Sequence, residues 1–130
     1  MPNTKQPFVY TLKHKMLGDQ STVTTITNSG VSKISVATTY TLAAPEVGSL
    51  KTIYRANSLS TANTVIAASS GVSFDGGGGT QALNLQPSTA GGVEDIAVTL
   101  IGESSTKWTI LSCFPLYTTV ATVNGVRVTT

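Results

Sequence analysis

The chain has 130 residues, of which 8 are Lys or Arg, 6 Asp or Glu and 1 His, giving a formal net charge of +2 and only 11% charged residues. That length suits one domain, and the charge is too sparse for a nucleic-acid-binding stripe or a disordered charged tail. Thr and Ser fill 36 positions (22 and 14), so hydroxyls and amides must supply the surface polarity that ions do not.

The opening run, Met1-Pro2-Asn3-Thr4-Lys5-Gln6-Pro7, lacks the apolar stretch of a signal peptide. No later window holds the roughly 18 apolar residues of a membrane-spanning helix. Residues 1–20 read as an N-terminal arm. Phe8-Val9-Tyr10-Thr11-Leu12 alternates large and small residues as a strand does, and Lys5, Lys13, His14 and Lys15 form the one basic stretch. The plain reading is a solvated terminus. The functional reading is an extended arm that orders on a partner, pairing strand-wise through residues 8–12.

Residues 21–113 read as the β body. β-branched residues are stiff at χ1 and suit a pleated surface, and short runs of them recur with period two and no helical period. Residues 22–27 form the first such run. Asn28-Ser29-Gly30 reads as a turn and residues 31–36 as the returning strand. Thr39–Leu42 follows, stopped by Pro45 and Gly48, and Leu50–Arg55 alternates again. Shorter strands are expected at 64–67, 72–74 and 82–86, with Asp75-Gly76-Gly77-Gly78-Gly79 as a loop of high backbone entropy. Residues 96–101 and 107–112 form a hairpin across a five-residue loop, Gly102-Glu103-Ser104-Ser105-Thr106. Residues 114–130 read as a separable C-terminal hairpin, with 118–123 turning at Asn124-Gly125 into 126–129.

The fold class is therefore all-β, an antiparallel sandwich or barrel-like body with an extended N-terminal arm. Its core draws on Leu42, Ile53, Val65, Phe74, Leu83, Leu85, Val98, Leu100, Trp108 and Ile110. A small β domain has strand edges to protect, and this one lacks the scattered Lys and Glu that usually protect them. That shortage points to a subunit whose surface is covered in an oligomer.

Chemistry is thinly represented. His14 is the only histidine and Cys113 the only cysteine, so one chain assembles no His-dependent triad, no disulfide framework and no multi-thiolate zinc site. Cys113 reads as a buried, inert thiol, and the absence of a disulfide framework suits synthesis in a reducing compartment, as a cytosol is. The carboxylates are Asp19, Glu46, Asp75, Glu94, Asp95 and Glu103. Only Glu94 and Asp95 are adjacent, and neighbours on a strand point to opposite faces. No spacing resembles a calcium loop, and Gly76-Gly77-Gly78-Gly79 lacks the Gly-Lys-Ser/Thr ending of a phosphate loop. Lys51 and Arg55 lie four apart and share a strand face, read as solvated or as meeting an acidic partner. Tyr40, Tyr54 and Trp108 are too dispersed for a base-stacking platform. No enzyme, cofactor, metal, nucleic acid or membrane is expected.

The run Tyr40-Thr41-Leu42-Ala43-Ala44-Pro45-Glu46-Val47-Gly48-Ser49-Leu50-Lys51-Thr52-Ile53 resembles a pattern in small β modules of tailed-bacteriophage structural proteins. The order continues with Asn63-Thr64-Val65-Ile66, Gly71-Val72-Ser73-Phe74, and Val98-Thr99-Leu100 facing Trp108-Thr109-Ile110. The likeness spans roughly residues 38–112 and rests on pattern and order. It implies a body often trimeric and, given the short chain without a fibre shaft, a small capsid decoration (cement) protein on the exterior of the virion. Its partners would be the major capsid protein and two further copies, in a homotrimer. Such a protein stabilises the shell by binding only its assembled form. In that role Phe8, Tyr10, Leu12, Lys13 and Lys15 are the expected capsid contacts, and Leu42, Ile53, Trp108 and Ile110 the core and interface residues. The alternative is a tail-fibre or tail-tip module that binds host-surface glycan through the loops at 75–79 and 102–106.

Overall fold

The computed structural model describes residues 16–19, 25–34, 38–55, 63–75, 81–87, 95–121, 123 and 125–129. The expectations for Phe8, Tyr10, Leu12, Lys13, His14, Lys15, Gly76-Gly77-Gly78-Gly79 and Glu94 lie outside these residues. Eleven strands are described: β1 (Met16–Asp19), β2 (Thr25–Ile26), β3 (Gly30–Ile34), β4 (Thr39–Leu42), β5 (Leu50–Arg55), β6 (Thr64–Ala68), β7 (Ser73–Phe74), β8 (Ala82–Gln86), β9 (Ile96–Ser104), β10 (Lys107–Phe114) and β11 (Gly125–Thr129). The protein is all-β, and its strands form two mixed sheets packed face to face without closing into a barrel. One sheet runs β1-β3-β5-β9-β10-β7, the other β11-β8-β6-β4-β2.

From β1 to β9 every step along the chain changes sheet. The first six strands therefore wind as a flattened coil: β1, β3 and β5 are parallel neighbours in one layer, and β2, β4 and β6 in the other. This overturns the expected hairpin at Asn28-Ser29-Gly30. Those residues form a corner between layers, where Gly30 takes a φ of 77° and the Asn28 side chain donates to Ala44 O at 2.9 Å. The antiparallel expectation holds for only part of each sheet, since successive turns of this coil run parallel while β8, β9, β10 and β11 add antiparallel pairs.

Antiparallel pairing enters with β8, which lies between β6 and β11, and in the other layer with β9, which lies between β5 and β10. The β9–β10 hairpin forms, but its loop is Ser105-Thr106 alone, because Lys107 pairs with Ser104. Gly102, expected in the loop, is a strand residue on which the Pro45 corner rests. Gly48 N donates to Gly102 O at 2.8 Å and Gly102 N to Ser49 O at 2.9 Å. A Cβ on Gly102 would collide with the backbone carbonyl of Glu46, so the close approach requires glycine there. The Asn-Gly hairpin is also replaced: β11 pairs along all five residues with β8, and Thr118, Thr119, Val120, Ala121 and Val123 belong to no strand.

The core lies between the layers and includes Ile26, Ile34, Tyr40, Leu42, Ile53, Ile66, Phe74, Leu83, Leu85, Ile96, Val98, Leu100 and Trp108. Alternation assigns its members strand by strand, as Thr64, Ile66 and Ala68 on β6 face inward. Val65 therefore points away, against the expectation that it joins the core. On β5 the inward residues are Lys51, Ile53 and Arg55. The two cations are fully buried, not solvated as expected.

Candidate interaction surface

Of the residues expected to matter, Leu42, Ile53 and Trp108 have no exposed surface, and Ile110 packs half-buried against the core. They hold the layers together and offer nothing to a partner directly. The surface that does so lies at the end of β10 and beyond it.

β10 begins as an inner strand and ends as an edge. The two residues of β7 pair only with Lys107 and Trp108. At the end of β7, Asp75 takes a φ of 53°, a conformation that short polar side chains tolerate. Its N–H donates to Trp108 O at 2.8 Å, and its Oδ1 accepts from Ile110 N at 2.9 Å. One residue on, Leu111 has no partner on β9, since Ile110 pairs with Leu100 and Ser112 with Thr99. This bulge shifts the in–out alternation. Trp108 and Ile110 face the core before it and Cys113 after it, and Phe114 is left 61% exposed.

The chain then turns through a cis Phe114–Pro115 bond and lies against β11. Val126 N donates to Leu116 O, and Thr118 N to Val126 O, both at 2.9 Å. The next turn hangs on one buried side chain. Gln86 Nε2 donates to Val120 O at 2.6 Å and to Val123 O at 2.7 Å, while Gln86 Oε1 accepts from Arg127 Nε at 3.1 Å. The result is a strip of outward side chains, Leu111, Phe114, Leu116, Tyr117, Val120 and Val123, exposed by between 37% and 61%. No charged residue occurs between Lys107 and Arg127 in the sequence.

An open cleft of about 430 Å³ runs along the strip, lined by Asp75, Ile110, Leu111, Ser112, Cys113 and Tyr117. Burial, and secondarily the Asp75 carboxylate, push the Cys113 thiol up to about 11. At neutral pH it is a thiol, the form that does not attack electrophiles. No group of three or more His, Cys, Asp or Glu side chains comes together among the described residues.

The buried cations are arranged differently. Lys51 Nζ donates to Ser32 Oγ at 2.7 Å, Ser29 O at 3.1 Å and Thr27 Oγ1 at 3.2 Å. It thereby ties the corner between β2 and β3 to β5. Desolvation lowers its pKa from 10.5 to about 8. Arg55 Nη1 donates across the core to Leu85 O at 3.2 Å, and burial lowers its pKa too. Both are struts of the sandwich and present no surface to an outside partner. Comparison of the chain with protein-family models, with curated proteins and with solved structures finds no match.

Sequence reasoning missed the strip. The signal was present as nineteen residues without a charge, carrying Leu111, Phe114, Leu116, Tyr117, Val120 and Val123. Its exposure depends on a bulge and a turn that no periodicity announces.

Proposed function

We propose that this protein is a non-catalytic structural subunit that decorates a phage capsid and stabilises it by bridging capsid subunits. The observation that carries this reading is the uncharged apolar strip on the end of β10. An exposed apolar patch of this kind marks a surface meant to be covered, and a subunit of an assembly meets that need where an isolated enzyme does not. The resemblance of residues 38–112 to phage structural modules names the assembly. In this reading the protein is a homotrimer on the capsid exterior. Its arm, through Phe8, Tyr10, Leu12, Lys13 and Lys15, touches the major capsid protein. Binding to the assembled shell alone raises the shell's stability by mass action.

The test is to label the full-length protein, add it to intact particles and locate it by electron microscopy. Label over the head, together with a higher melting temperature of decorated shells, is the expected result. Label confined to the tail would favour the host-glycan reading. No label on either part would overturn both.

A further inference from the structure

We infer that the strip formed by Leu111, Phe114, Leu116, Tyr117, Val120 and Val123 is where copies of this chain meet one another, each strip packing against those of its neighbours at the three-fold axis of the homotrimer. The inference deepens the assembly reading above by naming its self-association surface.

Four observations support a second copy as the occupant. The first is area. Six side chains exposed by between 37% and 61% leave on the order of 500 Å² of apolar surface per copy, and two facing strips bury about 1,000 Å², where specific interfaces begin. The second is charge. A surface that meets its own copy sets like against like, which penalises ionic groups, and this stretch carries none between Lys107 and Arg127. A membrane surface would call for flanking Lys and Arg clusters.

The third is rigidity. Both ends of the segment are held in place, by Val126 bonding with Leu116 and Thr118, and by Gln86 on Val120 and Val123. A preformed surface loses little entropy on docking. The fourth is the treatment of the neighbouring edge. The Leu111 bulge and the Asp75 carboxylate on Ile110 N obstruct addition of a strand just where β7 ends. Contact is thereby directed to side-chain faces and away from backbone pairing.

Sedimentation velocity of the full-length protein over a wide concentration range tests this. The wild type is expected to associate. Phe114→Lys and Leu111→Lys are each expected to weaken association at least tenfold. Val47→Lys, at a site 75% exposed on the far corner, is expected to leave it unchanged. At a dilution where the Val47→Lys control is itself monomeric, thermal midpoints of the Phe114→Lys and Leu111→Lys variants are expected to match that of the control, which separates lost contact from lost folding. Alkylation of Cys113, which lines the cleft beside Leu111 and Tyr117, supplies a readout without mutation: it slows as wild-type protein is concentrated.

A wild type that stays monomeric at every concentration, or a Phe114→Lys variant that associates normally, overturns the inference. Binding of the same variants to intact particles keeps the two readings apart. Association through the strip without shell binding overturns decoration and leaves this inference standing. A monomeric wild type whose shell binding is lost in Phe114→Lys makes the shell the occupant and overturns self-association.

Discussion

Two regions of this molecule reverse the usual sorting of side chains. At the corner of β5, Lys51 and Arg55 lie in the core with no exposed surface. At the end of β10, Leu111, Phe114, Leu116, Tyr117 and Val120 lie in water, each more than 40% exposed. The misplaced cations carry their compensation within the fold: three oxygens around Lys51 Nζ, and a carbonyl of the opposite layer on Arg55. Burying a charge is costly unless it is hydrogen-bonded, and both are. The misplaced apolar groups have no such compensation inside the described chain. The first region is compensated within the fold; the second leaves its apolar side chains in water, and on that the proposed self-association rests. With two of the eight cations spent inside, the surface is still shorter of ions than its composition implies.

The sharpest way to break this contrast is to remove the same kind of group from each region. Ile53 sits between the two buried cations with no exposed surface. Ile53→Ala is expected to cost about 2–5 kcal/mol, the range for a buried large-to-small change. Phe114→Ala removes a larger side chain and is expected to change the stability of the monomer by less than about 0.5 kcal/mol, as exposed substitutions do. Denaturant midpoints at low protein concentration check both. A large loss in Phe114→Ala would mean that the strip packs against the chain's own residues.

Next in size is the pH response of the buried corner. The Lys51 pKa in the folded state, about 8, lies below its ordinary 10.5. Below about pH 8 both folded and unfolded chains hold the proton, and the full desolvation penalty applies. Between pH 8 and 10.5 the unfolded chain holds more protons, so stability rises with pH, by up to roughly 3 kcal/mol for this group. Cys113 works in the opposite direction, because its pKa is raised from 9.0 to about 11 and its contribution is lost as pH rises through that window. Lys51→Met is expected to remove the rising component, seen as the difference between mutant and wild-type unfolding curves from pH 7 upward. A difference that is flat with pH would mean that Lys51 reaches water.

Strand positions were legible in the sequence because β-branched alternation is a local signal. Thr39–Leu42, Leu50–Arg55 and Ala82–Gln86 stand where it puts them. Strand partners were not, because the coil between layers is decided by long-range register, and a turn such as Asn28-Ser29-Gly30 reads the same in a hairpin and at a corner. The face of β5 was legible and misread. Ile53 belongs to the core, so period two places Lys51 and Arg55 there with it. Of the site, Trp108 and its neighbours were legible as large apolar residues. The exposure of Phe114 was not, since it follows from an extra residue at Leu111 that shifts the register by one.

A smaller effect tests what positions the strip. Gln86→Ala releases Val120 O, Val123 O and Arg127 Nε at once. It is expected to cost about 1–3 kcal/mol and to weaken self-association while the six apolar side chains stay present. Unfolding and sedimentation of the same variant read the two effects. Unchanged association would mean that the turn at 120–123 contributes no contact.

The smallest expected effect is at the rim of the cleft. Asp75→Asn keeps an oxygen to accept from Ile110 N, and Asn tolerates the left-handed backbone as well as Asp does, so the fold should not change. What changes is charge beside Cys113. Burial is the main reason that this thiol titrates near 11, and the Asp75 carboxylate is the lesser one. The variant is therefore expected to lower the thiol's pKa by less than about one unit, read from alkylation rate against pH. It is also expected to leave self-association unchanged, because in strip-to-strip contact the carboxylate stays at the margin, near water. Association that tightens in Asp75→Asn would bring the carboxylates of neighbouring copies together, and would move the contact from the apolar strip towards the edge of β7.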